Sequence, residues 1–141
     1  MKKPTEKFRR MAQRPRRTPR IGALVHEFAL ASSVTLPSEL AMAAAQASGQ
    51  STGTGKLPVT LFSPKGGQIT TSGGLEFATQ PISEAASLDL LVIAAIWRDP
   101  RRVIKRHPEL IPFIAKLVDQ GSSIAAVGTG SFLLAQTGLL D

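Results

Sequence analysis

Residues 123–141 read SIAAVGTGSFLLAQTGLLD. An apolar strand pattern over 123–127 runs into Gly128-Thr129-Gly130, and a helical pattern starts at Ser131 and covers 131–137. A buried strand that turns sharply into a helix is where many α/β hydrolytic folds present a nucleophile. At the point of this turn stands Gly128, which has no side chain. The stretch can therefore be a disabled active site, a binding site or only a turn, and the rest of the chain decides which.

Upstream, LDLLVIAAI (88–96) is a continuous apolar run, the pattern of a strand buried on both faces. Between these strands, Asp99 is a helix N-cap with Pro100 in the first turn. His107-Pro108 breaks this helix, because the residue before proline avoids the α region. A second helix is predicted from about Glu109 to Gln120, ending at Gly121, with Ile111, Ile114, Leu117 and Val118 as its apolar stripe. Nearer the start, RIGALVHE (20–27) reads as the first strand and ALASSVT as a loop. A helix is expected over 37–47, opened by Pro37 and ended by Gly49. LPVTLF (57–62) is the second strand. The alternation of QITTS and LEFA around Gly73-Gly74 predicts a hairpin with a two-residue turn, and TQPISEAAS reads as a loop. This order of strands and helices predicts an α/β fold with a parallel sheet covered on both faces.

The chain has 141 residues, 43% hydrophobic and 19% charged, which suits one globular domain. It has no cysteine, so disulfides, thiolate metal sites and a cysteine nucleophile are excluded. No His and acid cluster shows metal-ligand spacing. The net charge of +7 is uneven: residues 1–20 hold nine Lys/Arg against Glu6 alone, and the remainder is nearly neutral. Residues 1–19 are read as a basic disordered tail, and non-specific, weak attraction to nucleic acid or anionic lipid is the functional alternative. No apolar run reaches the length of a membrane span. The start followed by IGALVHEFALA imitates a secretion signal, but His26 and Glu27 interrupt it, so a strand is favoured.

Three motifs invite chemistry and fail. GQSTGTGK (49–56) resembles a phosphate-binding loop, but its spacing is one residue too long. Leu57 also stands where a Ser or Thr should be, and a strand follows instead of a helix. GTGSFL (128–133) has Leu133 in place of the third glycine of a dinucleotide fingerprint and follows the last strand. A triad of Ser131, His107 or His26 and an acid lacks the framing Gly-x-Ser-x-Gly. His107 reads as a helix terminus and His26 as a strand-end residue. Trp97-Arg98 stands at the end of the strongest strand, where open α/β sheets bind ligands, and is an even choice between pocket wall and hydrophobic cover.

LDLLVIAAI, a helix, then GSSIAAVGTGSFLLAQTGLLD resembles the amidase-like sensor domain at the front of AraC-type transcriptional regulators. That domain belongs to the PfpI-like branch of the class I glutamine amidotransferase-like superfamily. LVHEF, TLPSELAMAAA and VTLFSPKGGQITTSGGLEF fit in order, so the resemblance spans about 20–141. It implies a flavodoxin-like three-layer α/β/α sandwich with a mostly parallel sheet and an inserted β-hairpin, C-terminally incomplete.

The enzymatic relatives carry Cys-Thr-Gly at the turn, so the resemblance implies a missing nucleophile at Gly128. Their acid position is Ser33 here, four residues before Pro37, and their histidine region lies beyond GLLD. The implied protein is not an enzyme and needs no cofactor. It is a cytoplasmic, ligand-sensing and homodimerising domain that senses a small-molecule effector. Ser33, Trp97, Arg98, Gly128, Thr129 and Gly130 are its expected ligand contacts, and no membrane or metal is involved. DNA binding would belong to a helix-turn-helix half that this sequence lacks. A degenerate hydrolase, amidase or hydratase is the alternative. Physical reasoning agrees on one point: glycine relieves the strain of such a turn and removes any group to activate.

Overall fold

In the computed structural model, residues 18–49 and 58–141 are described. Most of the basic tail and of the GQSTGTGK segment lies outside them. Strand β1 (Ile21–Leu24) leads to helix α1 (Ser32–Ala47) and β2 (Val59–Ser63). β3 (Gly67–Thr70) and β4 (Glu76–Pro81) form the hairpin, and β5 (Leu90–Ile93) follows. Then come α2 (Pro100–Arg106), α3 (Leu110–Asp119), β6 (Ser123–Ala126) and a short helix α4 (Ser131–Ala135). The strands form one sheet in the order β3-β4-β2-β1-β5-β6, parallel throughout except between β3 and β4.

Side chains alternate across a strand, and the core divides accordingly. Leu24, Phe62, Leu91 and Ile93 point to one face, where they meet Val103 of α2, Leu110, Ile114 and Leu117 of α3, and Leu133 of α4. Ala23, Val59 and Val92 point to the other, where Ala41 of α1 packs on them. Right-handed crossovers require this arrangement, because β2 lies on one side of the β1–β5 pair and β6 on the other. The two faces are unequal. α1 buries only Ser33, Val34 and Ser38, and Leu36 and Leu40 are exposed.

Several sequence expectations shift. α1 begins at Ser32, five residues before Pro37, which sits inside the helix. The serines read as loop formers instead fold back: Ser33 Oγ donates to the Leu30 carbonyl and Ser38 Oγ to that of Val34. The hairpin turn holds three residues, Ser72 to Gly74, closed by Thr71 N–H donating to the Leu75 carbonyl. Gly74 takes φ +81, the left-handed residue that a three-residue hairpin loop needs. β4 runs on through Pro81 because it pairs on both edges, with β3 and with β2. β5 is shorter than its apolar run, since Ala94–Ile96 leave the ladder while staying buried. Leu110 joins the buried face of α3, and Ile111 and Val118 are only half-buried. The break at His107-Pro108, the Asp99 cap and the stop at Gly121 (φ +89) are as expected: Asp99 Oδ1 accepts from Arg101 N–H at 3.0 Å.

Candidate functional site

The sheet order reverses direction between β1 and β5, so the loops after these strands diverge there. A crevice at such a point is the usual ligand position in an open α/β sheet. In this chain backbone hydrogen bonds stitch the two loops together. Leu30 N–H donates to the Ala95 carbonyl at 2.9 Å and Trp97 N–H to that of Phe28 at 2.7 Å, flanking a bridge between Ala29 and Ile96.

Two hydroxyls complete the stitching. Ser33 Oγ accepts from Ala95 N–H at 2.8 Å while donating to the Leu30 carbonyl at 2.6 Å. Thr129 Oγ1 accepts from Ile96 N–H at 2.8 Å and donates to the Ile96 carbonyl at 2.7 Å. Thr129 thus satisfies both polar groups of one buried residue, as a neighbouring strand would. Replacing Thr129 by valine keeps the shape and strands both groups. A loss of about 2 kcal/mol is expected, read as a lower urea midpoint at unchanged m-value.

Gly128 has φ +49, and a Cβ built there would meet only Ala95 Cβ, at 3.9 Å. Gly130 lies against the end of β5, where a Cβ would come within 2.6 Å of the Ala94 carbonyl oxygen. Ser33, Gly128, Thr129 and Gly130 are therefore gathered around Ala94–Ile96. Trp97 and Arg98 follow directly, both exposed, with Arg98 held at φ +70. Left-handed backbone at a non-glycine residue costs about 1–3 kcal/mol and tends to cluster at functional sites.

A second group, missed in the sequence, stands beside this crevice. Both Glu27 carboxylate oxygens contact His107 Nε2, at 2.9 and 3.1 Å, and Oε1 also accepts from Arg106 Nε at 2.9 Å. His107 Nδ1 lies 3.5 Å from Glu109 Oε1. Burial opposes ionisation of Glu27, but its own backbone N–H, His107 and Arg106 outweigh that and hold its pKa below the usual range. His26, fully buried, is pushed down to about 4, chiefly by desolvation, against the attraction of Glu27 and with the help of His107. His26 Nδ1 accepts from Phe28 N–H at 3.2 Å, so Nε2 carries the proton, and among the described residues it has no partner. The available sequence signal was the basic helix end before Pro108; the 80-residue separation of Glu27 from His107 hid the rest. Neither histidine is hydrogen-bonded to Ser131. Among the described residues, no three His, Asp or Glu side chains are placed to hold a metal ion.

Comparison with solved structures places this architecture. A transcriptional-regulator candidate from Vibrio parahaemolyticus superposes with a TM-score of 0.73 at 25% identity, covering 88% of this chain and 63% of its own. An AraC family transcriptional regulator from Pseudomonas putida gives 0.69 at 22%, covering 87% and 63%. A ThiJ/PfpI domain protein from Brachyspira murdochii gives 0.69 at 12%, covering 89% and 68%. The fold is that of the ThiJ/PfpI domain. The resemblance read from GTGSFLLAQTGLLD and its partners thus holds in three dimensions. The chain spans less than two thirds of the length of the first two structures. No family model and no curated protein sequence matches it. Among the described residues no helix of this ThiJ/PfpI fold is long and apolar enough to cross a membrane.

Proposed function

We propose that the chain is a non-catalytic, effector-sensing and dimerising domain of an AraC-type transcriptional regulator. The observation that carries this reading is Gly128: a ThiJ/PfpI strand-to-helix turn with positive φ and no side chain to react. The hydroxyls of Ser33 and Thr129 are committed to backbone partners and are not poised as nucleophiles. The likeness to two regulator structures supports the sensing role. Exposed Leu36 and Leu40, four residues apart on one face of α1, support association into a dimer. In this reading the effector reaches the crevice through Trp97, Arg98 and the Gly128–Gly130 turn, DNA contact belongs to a separate helix-turn-helix half, and the setting is cytoplasmic.

The test is turnover. Purified chain incubated with amide, aldehyde and isocyanide substrates should release no product above buffer. Turnover that disappears in Thr129→Val or Ser131→Ala would instead establish a degenerate hydrolase or hydratase.

A further inference from the structure

Helix α2 carries more positive charge than its own stability explains. Arg101, Arg102 and Lys105 share its solvent face, opposite buried Val103, with Arg98 before the helix and Arg106 at its end; all five cations are exposed. Arg101 and Arg102 occupy the first turn, where the helix dipole favours acids and repels cations. Arg101 with Lys105, and Arg102 with Arg106, are like-charge pairs four residues apart, which also weaken a helix. Arg98 is held in left-handed backbone, at φ +70. Only Lys105 and Arg106, in the last turn, complement the dipole. The fold by itself disfavours the other placements.

Most of these cations have no counter-ion. Arg106 is bound to Glu27, and Arg102 lies over the Phe28 ring at 5.7 Å, which leaves its charge in place. The side chains of Arg98, Arg101 and Lys105 have no hydrogen-bond or ion-pair partner among the described residues. Asp99, the one acid within residues 97–106, is turned to the Arg101 N–H as the helix cap. Glu27 and Glu109 gather at the other end of the helix, around His107. With both counted and histidine neutral, the corner still has five cations against three acids. No acid stands on the solvent face between Arg101 and Lys105.

A surface of this kind fits a polyanion, and the details favour nucleic acid. Four of the five cations are guanidinium groups, whose planar forks match phosphate. Trp97, next to Arg98, is about half exposed and offers a face on which a base can stack. A cationic ridge with an exposed aromatic is the combination that holds single strands without regard to sequence. An acidic protein segment would use the cations and leave the ring idle. A lipid surface would need apolar side chains among the cations, but α2 turns Val103 inward and keeps Ile104 half-buried. We propose that the α2 ridge binds single-stranded nucleic acid, its phosphates held by Arg98, Arg101 and Lys105 and a base stacked on Trp97. This contact comes in addition to the DNA contact assigned above to a separate half, and it does not depend on the sensing role.

The experiment titrates the full chain with oligothymidylate of about 16 nucleotides, labelled with fluorescein for anisotropy and unlabelled for Trp97 emission. Trp97 is the only tryptophan, so its emission reports on the ridge and not on the basic residues 1–19. The strand should bind, quench Trp97 and lose affinity as salt rises. Arg101→Gln combined with Lys105→Gln should weaken binding at least tenfold at about 50 mM salt and reduce the salt slope by about 1.4. The melting temperature of this variant should be equal or higher, because like-charge repulsion is relieved. Arg9→Gln combined with Arg10→Gln removes two charges elsewhere and should keep the quenching of Trp97 at saturation. The proposal is overturned if the strand does not bind, or if the ridge variant binds like the parent chain, which would assign binding to residues 1–19. It is equally overturned if polyglutamate of the same charge competes as well as the strand, if inorganic polyphosphate quenches Trp97 as the strand does, or if a duplex of the same length binds more tightly.

Discussion

Replacing Gly130 by alanine should destabilise the chain by about 3 kcal/mol, lowering the melting temperature by roughly 10 °C. Gly130 has φ −59 and ψ −23, which any residue adopts, so the penalty is not conformational. It is steric. The new methyl would lie 2.6 Å from the Ala94 carbonyl oxygen and 2.8 Å from that of Ile93. Both belong to backbone at the end of β5, and the Ile93 carbonyl also accepts from Val127 N–H at 2.9 Å. Relief therefore requires the turn to lift from the sheet, which pulls Thr129 away from Ile96. Gly128→Ala isolates the opposite effect. Its methyl has room, and only the positive φ opposes it, so about 1 kcal/mol is expected. Equal losses in the two variants, measured by thermal unfolding, would contradict this placement of the turn.

Acid should weaken the fold well above the range of ordinary carboxylates. His26 is lowered from 6.5 to about 4 in the folded chain. Below pH 6.5 the unfolded chain takes up a proton that the folded chain refuses, so stability falls as pH drops from 6.5 to about 4. The full span corresponds to about 3 kcal/mol. Glu27 acts in the same direction at lower pH: its depressed pKa contributes stability above the unfolded value of 4.5 that is lost as pH falls through the folded one. Urea midpoints measured from pH 7.5 to 4 should show this slope, and His26→Gln should flatten it above pH 4.5. An equal slope in the variant would assign the acid sensitivity elsewhere.

The layout of the sheet was legible because its strongest signals are local. LDLLVIAAI, the Asp99-Pro100 cap and the His107-Pro108 break each carry their own period or backbone constraint, and each is found in place. Boundaries failed where a local rule met a tertiary partner. Proline usually opens a helix, yet α1 starts at Ser32, because Ser33 finds partners on both Leu30 and Ala95. Ala94–Ile96 look like strand and are buried like strand, but their hydrogen bonds go to the β1 loop and to Thr129. The strand-to-helix turn at Gly128–Gly130 was legible through resemblance and through glycine spacing. The Glu27–His107 group was not, since ion pairs across the fold leave no periodic trace in sequence.

The stitched crevice has one practical consequence. Trp97 is the only tryptophan of the chain, and the chain has no tyrosine. Its amide is tied to Phe28, on the loop after the first strand, and its ring is about half exposed beside the strained Arg98. Near-ultraviolet emission of the unlabelled protein therefore comes from a single point, at the seam where the two halves of the sheet meet. Any occupant that loosens or tightens that seam changes the colour of this one ring, and the molecule carries its own indicator.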